Sequence, residues 1–131
     1  MKYVLDTNTL IYFFKGVGRV AERLFATPPS EIGVPTIVLY ELEVGIAKSK
    51  SPQKRKMQFQ EFTSLINIIP FSIAEARCAA TIRVKLEKEG IPIGPYDVLI
   101  AASVLANNWV LVTHNQEEFG RVDGLKIEDW F

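Results

Sequence analysis

The strongest constraint on this chain is a repeated alternation of short apolar runs with longer helical segments. Tyr3-Val4-Leu5 is unbroken apolar sequence that stops at Asp6. A run of that kind suits a strand buried on both faces, as strands in parallel sheets are. Further strands are expected at Ile32-Gly33-Val34, Ile66 to Phe71, Trp109 to Thr113 and Leu125-Lys126-Ile127. Between them the pattern predicts helices over Thr7 to Lys15, ended by Gly16, and over Val20 to Ala26, closed by Pro28-Pro29. Others follow from Pro35-Thr36 to Ala47, from Pro52 onward, from Ile73 to Lys88, and from Pro95 to Ala106. The alternation predicts an α/β fold, with a central parallel sheet flanked by helices on both faces. In such sheets ligands lie beyond the carboxyl ends of the strands, so chemistry is expected just after Leu5 and just after Val112.

A chain of 131 residues, 48% of them hydrophobic, fits one domain over residues 1–131 with a sizeable core. Its formal net charge is zero, so no global field draws it to nucleic acid or membrane. An anionic partner must be held by a local patch or through a metal. Cys78 is the only cysteine, which excludes an internal disulfide and suits a reducing compartment. Its helical, alanine-rich surroundings predict plain core packing. Asp6 interrupts the first apolar run, which does not fit a signal peptide. Apolar stretches such as Leu10 to Phe14 fall far short of the roughly 18 residues that span a bilayer. A cytoplasmic protein is expected.

The candidate chemistry lies in dispersed acids. Asp6 ends the first strand, where it can cap the helix that follows and still face a cleft. Glu41 shares a helical stripe with Val38, Leu42 and Gly45, and a carboxylate there is costly unless something pairs with it. Glu43 is its rival, because this helix is apolar nearly all round. Asp97 follows Gly94-Pro95-Tyr96 and falls in a first helical turn, where a negative charge complements the helix dipole. The helix behind it, Val98-Leu99-Ile100-Ala101-Ala102, is apolar on every side and must be buried. Thr113-His114-Asn115-Gln116-Glu117-Glu118-Phe119 places polar and acidic residues after another strand, in a composition common in loops.

Taken as a set, these pieces resemble the VapC-type toxins of bacterial toxin–antitoxin pairs, a branch of the PIN-domain nucleases. The likeness rests on Leu5-Asp6-Thr7-Asn8, Glu41-Leu42-Glu43-Val44-Gly45, Pro95-Tyr96-Asp97 through Ala102, and Leu111-Val112-Thr113-His114-Asn115 through Glu118-Phe119. The closing Gly124-Leu125-Lys126-Ile127-Glu128-Asp129-Trp130 resembles the family's C-terminus, so the match runs full length and in order. It implies a PIN fold and a catalytic set of Asp6, Glu41, Asp97 and Glu118. Asp6 and Asp97 would be metal ligands, and Asn8, Thr113 and Asn115 polar residues of the same pocket. Glu118 departs from the aspartate usual at the fourth position, and Glu117 stands beside it as an alternative.

Converging carboxylates repel. Two unit charges about 4 Å apart cost roughly 4 kcal/mol at an effective dielectric near 20. Either some hold protons or a cation sits between them. Hard oxygen donors select Mg²⁺ or Mn²⁺, which can activate a water for attack on phosphorus. RNA cleavage by paired histidines is excluded, because His114 is the only histidine. His114 is expected to be a loop residue. Hydrolysis by metal-activated water should leave a 5′-phosphate and a 3′-hydroxyl.

Lys48, Lys50, Lys54, Arg55 and Lys56 make five of nine consecutive residues basic, which fits either RNA phosphates or a solvated face. Lys15, Arg19 and Arg23 would form a second patch. A haloacid-dehalogenase-type phosphatase would want a second Asp where Asn8 stands. A catalytically inactive PIN domain that binds RNA or protein would be expected to have lost an acid. The resemblance further implies a VapB-type antitoxin, a structured RNA substrate (transfer or ribosomal), a homodimer, and a higher assembly with the antitoxin. Large apolar residues crowd the first two helices (Leu10, Ile11, Tyr12, Phe13, Phe14, Leu24, Phe25), and part of that surface should be exposed for a partner.

Overall fold

A computed structural model describes residues 2–131. Five strands are present: β1 (Tyr3–Leu5), β2 (Ile32–Pro35), β3 (Asn67–Ile69), β4 (Val110–Val112) and β5 (Lys126–Glu128). They form one sheet in the order β3-β2-β1-β4-β5, with every neighbouring pair parallel. Seven α-helices connect and cover them: α1 (Thr7–Lys15), α2 (Val20–Phe25), α3 (Thr36–Ala47), α4 (Pro52–Thr63), α5 (Ile73–Lys88), α6 (Pro95–Leu105) and α7 (Gln116–Phe119). A 3₁₀ turn, Pro29–Glu31, leads into β2.

This is the α/β architecture expected, and its central strands are apolar. Val4 and Leu5 in β1, Val34 in β2, and Leu111 and Val112 in β4 are fully buried. A Cβ at Gly33 would lie 2.7 Å from Ile69 Cδ1, so any larger residue there would make the Ile69 side chain shift. Strand ends differ from expectation by no more than two residues, and β1 not at all. The third strand is shorter than the run Ile66 to Phe71, and the last begins at Lys126. Ladder pairing sets these limits, and side-chain type alone does not reveal it.

One expectation is corrected. Residues 116–119, read as loop, form the short α7, because the Asn115 side chain accepts the Glu118 N–H at 3.3 Å and caps it. The apolar surface of α1 and α2 is open in part, as expected. Leu10 and Leu24 belong to the core. Phe13 and Phe14 are half-covered by α4, with Phe13–Phe62 ring centroids 5.3 Å apart and Phe14–Phe59 6.2 Å apart. The basic start of α4 hid the apolar face that its second half presents. Phe25 stays 79% exposed. Cys78 is half-buried against the core, and no described helix is long and apolar enough to cross a membrane.

The chain leaves β1 toward β2 on one side of the sheet, while β4 lies on the other. The carboxyl ends of β1 and β4 therefore flank a topological switch point, where such sheets open a crevice. Leu5 pairs with Val112, so Asp6 and Thr113 emerge side by side.

Candidate active site

Asp6 is buried at the N-cap of α1. Its Oδ1 accepts the Thr9 N–H at 2.9 Å, and its Oδ2 accepts the Thr113 hydroxyl at 2.6 Å. Each oxygen keeps a lone pair for a further partner. Burial raises its carboxyl above the ordinary range despite those donors. The Thr9 hydroxyl donates to the Val112 carbonyl at 3.1 Å, and the Asp6 N–H reaches the same oxygen at 3.2 Å. The first turn of α1 is thus fastened to the end of β4.

Glu41 projects from the second turn of α3, half-buried, and its Oε1 accepts the Thr7 hydroxyl at 2.8 Å. Glu43 is exposed on the other side of the helix, so geometry separates two residues that periodicity could not. Asp97 lies in the first turn of α6 and is half-buried. Its carboxyl is pushed up to about 6, first by burial, then by the charge of Glu118 and a hydrogen bond to it, then by the charges of Asp6 and Glu41. Asp97 therefore senses the charges of the other three acids expected from sequence, and is hydrogen-bonded to Glu118. Gly94 lies beside this carboxylate: a Cβ there would sit 3.4 Å from Asp97 Oδ2, in ordinary contact.

Glu118 owes its orientation to Asn115. The Asn115 amide donates to Glu118 Oε2 at 2.9 Å, and the Asn115 N–H donates to the Thr113 hydroxyl at 3.0 Å. One chain of hydrogen bonds thus runs from Asp6 through Thr113 and Asn115 to Glu118. Glu117 points away, its side chain 88% exposed and 3.8 Å from Arg121. Asn8 is exposed on the first turn of α1. His114 is an exposed loop residue: Nδ1 lies 2.9 Å from Asp129, and the ring stacks on Phe131 at 4.2 Å. Thr7 and Thr9 escaped the sequence reading. Hydroxyls alternating just after a strand-end acid were the available signal.

The donor set is all oxygen and crowded with negative charge, which suits a hard cation. Among the described residues, however, no three His, Cys, Asp or Glu side chains are disposed to hold a metal ion together. A cation here would take one or two carboxylates and fill its other positions with water, as Mg²⁺ commonly does.

The basic residues lie apart from these acids. Lys48 and Lys50 sit between α3 and α4, and Lys54, Arg55 and Lys56 in the first turns of α4, all exposed. Two apolar cavities border α1. One, of about 480 Å³, lies between α1, α2 and α4, with Phe13, Leu24, Phe25 and Phe62 in its walls. The other, of about 300 Å³, lies between α1, α3 and α4 and reaches Glu41.

Comparison with known proteins agrees with this architecture along the whole chain. The PIN domain family profile matches residues 3–125. The tRNA(fMet)-specific endonuclease VapC of Salmonella typhimurium is 34% identical over 130 residues, covering 99% of this chain and 98% of that one. Ribonuclease VapC2 of Rickettsia felis is 34% identical over 141 residues, with the same coverage. Among solved structures, VapBC2 from Rickettsia felis bound to a promoter DNA fragment superimposes with a TM-score of 0.93 at 34% identity, over the full length of both chains. DNA-bound VapBC from Salmonella typhimurium gives 0.93 at 35% identity, covering 100% of this chain and 99% of that one. With fold, strand-end acids and full-length similarity in agreement, the chain belongs to the PIN domain family and, within it, to the VapC proteins.

Proposed function

We propose that this chain is the toxin of a type II toxin–antitoxin pair, an endoribonuclease that hydrolyses phosphodiester bonds of a structured RNA with the help of Mg²⁺ or Mn²⁺. The observation that carries the reading is the convergence of Asp6, Glu41, Asp97 and Glu118 at the β1–β4 crevice, with Asp97 held near 6 by burial and by the other three. Its relatives' names, an endonuclease specific for tRNA(fMet) and ribonucleases, point to the same reaction class. Transfer or ribosomal RNA is the substrate class proposed.

Asp6 and Asp97 would hold the cation, with Glu41 and Glu118 acting on its water shell. When bound, the cation supplies charge neutralisation and a more acidic water at the phosphate. The protein's own work is positional. Thr9 and Thr113 fix the Asp6 carboxylate, Thr7 fixes Glu41, and Asn115 turns Glu118 toward Asp97. These bonds set the acids in place before substrate arrives, which lowers the reorganisation needed for reaction. A carboxylate of the set accepts the proton of the attacking water. Products carry a 5′-phosphate and a 3′-hydroxyl, because no step uses the RNA 2′-hydroxyl.

An intracellular ribonuclease of this kind needs restraint. The similar solved structures are VapBC assemblies, so a VapB-type antitoxin is the proposed partner and the cytoplasm the proposed compartment. The cavity beside Phe25 offers an apolar seat for an amphipathic antitoxin segment. An arginine from that partner could pair with the carboxylates and displace the cation. A homodimer is also proposed. The test is to purify the chain with the small protein encoded beside its gene. A silent complex whose freed toxin cuts RNA with Mg²⁺ supports the reading, and a freed toxin that cuts no RNA sinks it.

A further inference from the structure

We propose that the cavity between α1, α3 and α4 is a base-binding subsite, which receives one unstacked nucleobase of the RNA next to the bond being cut. The proposal rests on the ribonuclease reading above and adds to it a specificity element outside the carboxylate set.

Three observations lead there. First, Glu41 belongs both to the acid cluster and to the cavity wall, so a strand laid across the carboxylates passes the cavity mouth. Second, the walls are apolar and aromatic, with Phe14 and Phe59 among them, while Lys15 and Arg55 stand at the rim. Among the described residues neither cation takes part in an ion pair. Aromatic and apolar walls under two free cations match a flat base with a phosphate on its flank. The larger cavity on the other side of Phe14 has neither Lys15 nor Arg55 in its wall, so it does not match a nucleotide in the same way.

Third, Gly45 has no structural reason to be glycine. It lies inside α3, where glycine is a poor helix former, without a positive φ. A Cβ there would meet no atom within 4 Å. The space beside it is the cavity itself. Glycine at this position costs helix stability and keeps the cavity open one turn beyond Glu41.

The experiment fills the cavity and reads a single base. Single-stranded RNA oligonucleotides carrying 2-aminopurine at one position each are bound to the Asp97→Asn protein, which does not cut them. One position should change emission on binding, as its base leaves its neighbours and enters the cavity. Adding Gly45→Leu should abolish that signal and weaken binding at least tenfold. In the otherwise native protein the same substitution should lower kcat/KM by at least tenfold while the melting temperature holds or rises. Gly45→Ala should melt higher and keep the signal. Arg55→Gln should bind more weakly and keep the position-specific signal.

The proposal is overturned if folded Gly45→Leu binds and cuts RNA as the native protein does. It is equally overturned if that variant loses only the antitoxin, which would assign the cavity to the protein partner. A native chain that cuts no RNA would instead overturn the ribonuclease reading, so the two failures are distinct.

Discussion

The Thr113 hydroxyl donates to Asp6 Oδ2 at 2.6 Å and accepts the Asn115 N–H at 3.0 Å, joining the end of β1 to the loop after β4 across 107 positions of sequence. It is the hinge of the whole site, because Asn115 in turn aims Glu118. Replacing it with valine keeps the shape and leaves a buried carboxylate oxygen without its donor. Thr113→Val should lower stability by roughly 1–3 kcal/mol in denaturant titrations, while Thr113→Ser restores most of it. A valine variant as stable as wild type would show that Asp6 does not depend on this bond.

The raised carboxyl of Asp97 predicts an unusual pH dependence. Its ordinary value is 3.8 and its folded value about 6, so the folded state binds the proton more tightly than the unfolded chain does. Below pH 3.8 both states are protonated and the group costs nothing. Its charge then destabilises the fold progressively between about pH 4 and pH 6, and fully above that. Asp97→Asn should therefore melt higher than wild type at pH 7.5, with the gain vanishing near pH 4. A gain that persists at low pH would place its cause elsewhere.

Added cation should reverse the same penalty. Mg²⁺ or Mn²⁺ at millimolar concentration should raise the melting temperature at pH 7.5, do so less below pH 6, and have little effect on Asp97→Asn. An equal rise in both proteins would show that the ion binds away from the carboxylates.

The exposed ring of Phe25 predicts the partner's seat. It meets Phe13 with centroids 5.8 Å apart and stays 79% exposed, so Phe25→Asp should leave folding and RNA cleavage near wild type. Capture of the cognate antitoxin should fall about tenfold or more, as loss of an aromatic anchor does. Undiminished capture would move the antitoxin to another face.

Neutralising Lys48, Lys50, Lys54 and Lys56 together tests the remaining basic residues. If they touch phosphate, the salt dependence of RNA binding flattens, measured as the slope of log K against log salt. An unchanged slope identifies a solvated helix face.

Much of this was legible in the residues. The short apolar strands and the acids that stop them located both the sheet and its crevice, since a run such as Tyr3-Val4-Leu5 has few other uses. Periodicity failed where a helix is apolar all round, so choosing Glu41 over Glu43 required the direction in which α3 packs. Glu118 and Glu117 differ only through the cap that Asn115 forms. The face of α4 was hidden because its basic start masks Phe59 and Phe62. Which cations border a cavity depends on side chains meeting across three helices, and no spacing in one segment records it.

The most direct test is cleavage of total RNA by wild type and by Asp97→Asn, each with Mg²⁺ and with chelator, after melting curves confirm that both fold. Removing a catalytic carboxylate should cost about a hundredfold or more. Wild type with Mg²⁺ should give 5′-phosphorylated fragments, and the other three reactions almost none. Equal cutting by folded Asp97→Asn, or by wild type in chelator, would contradict the ribonuclease reading.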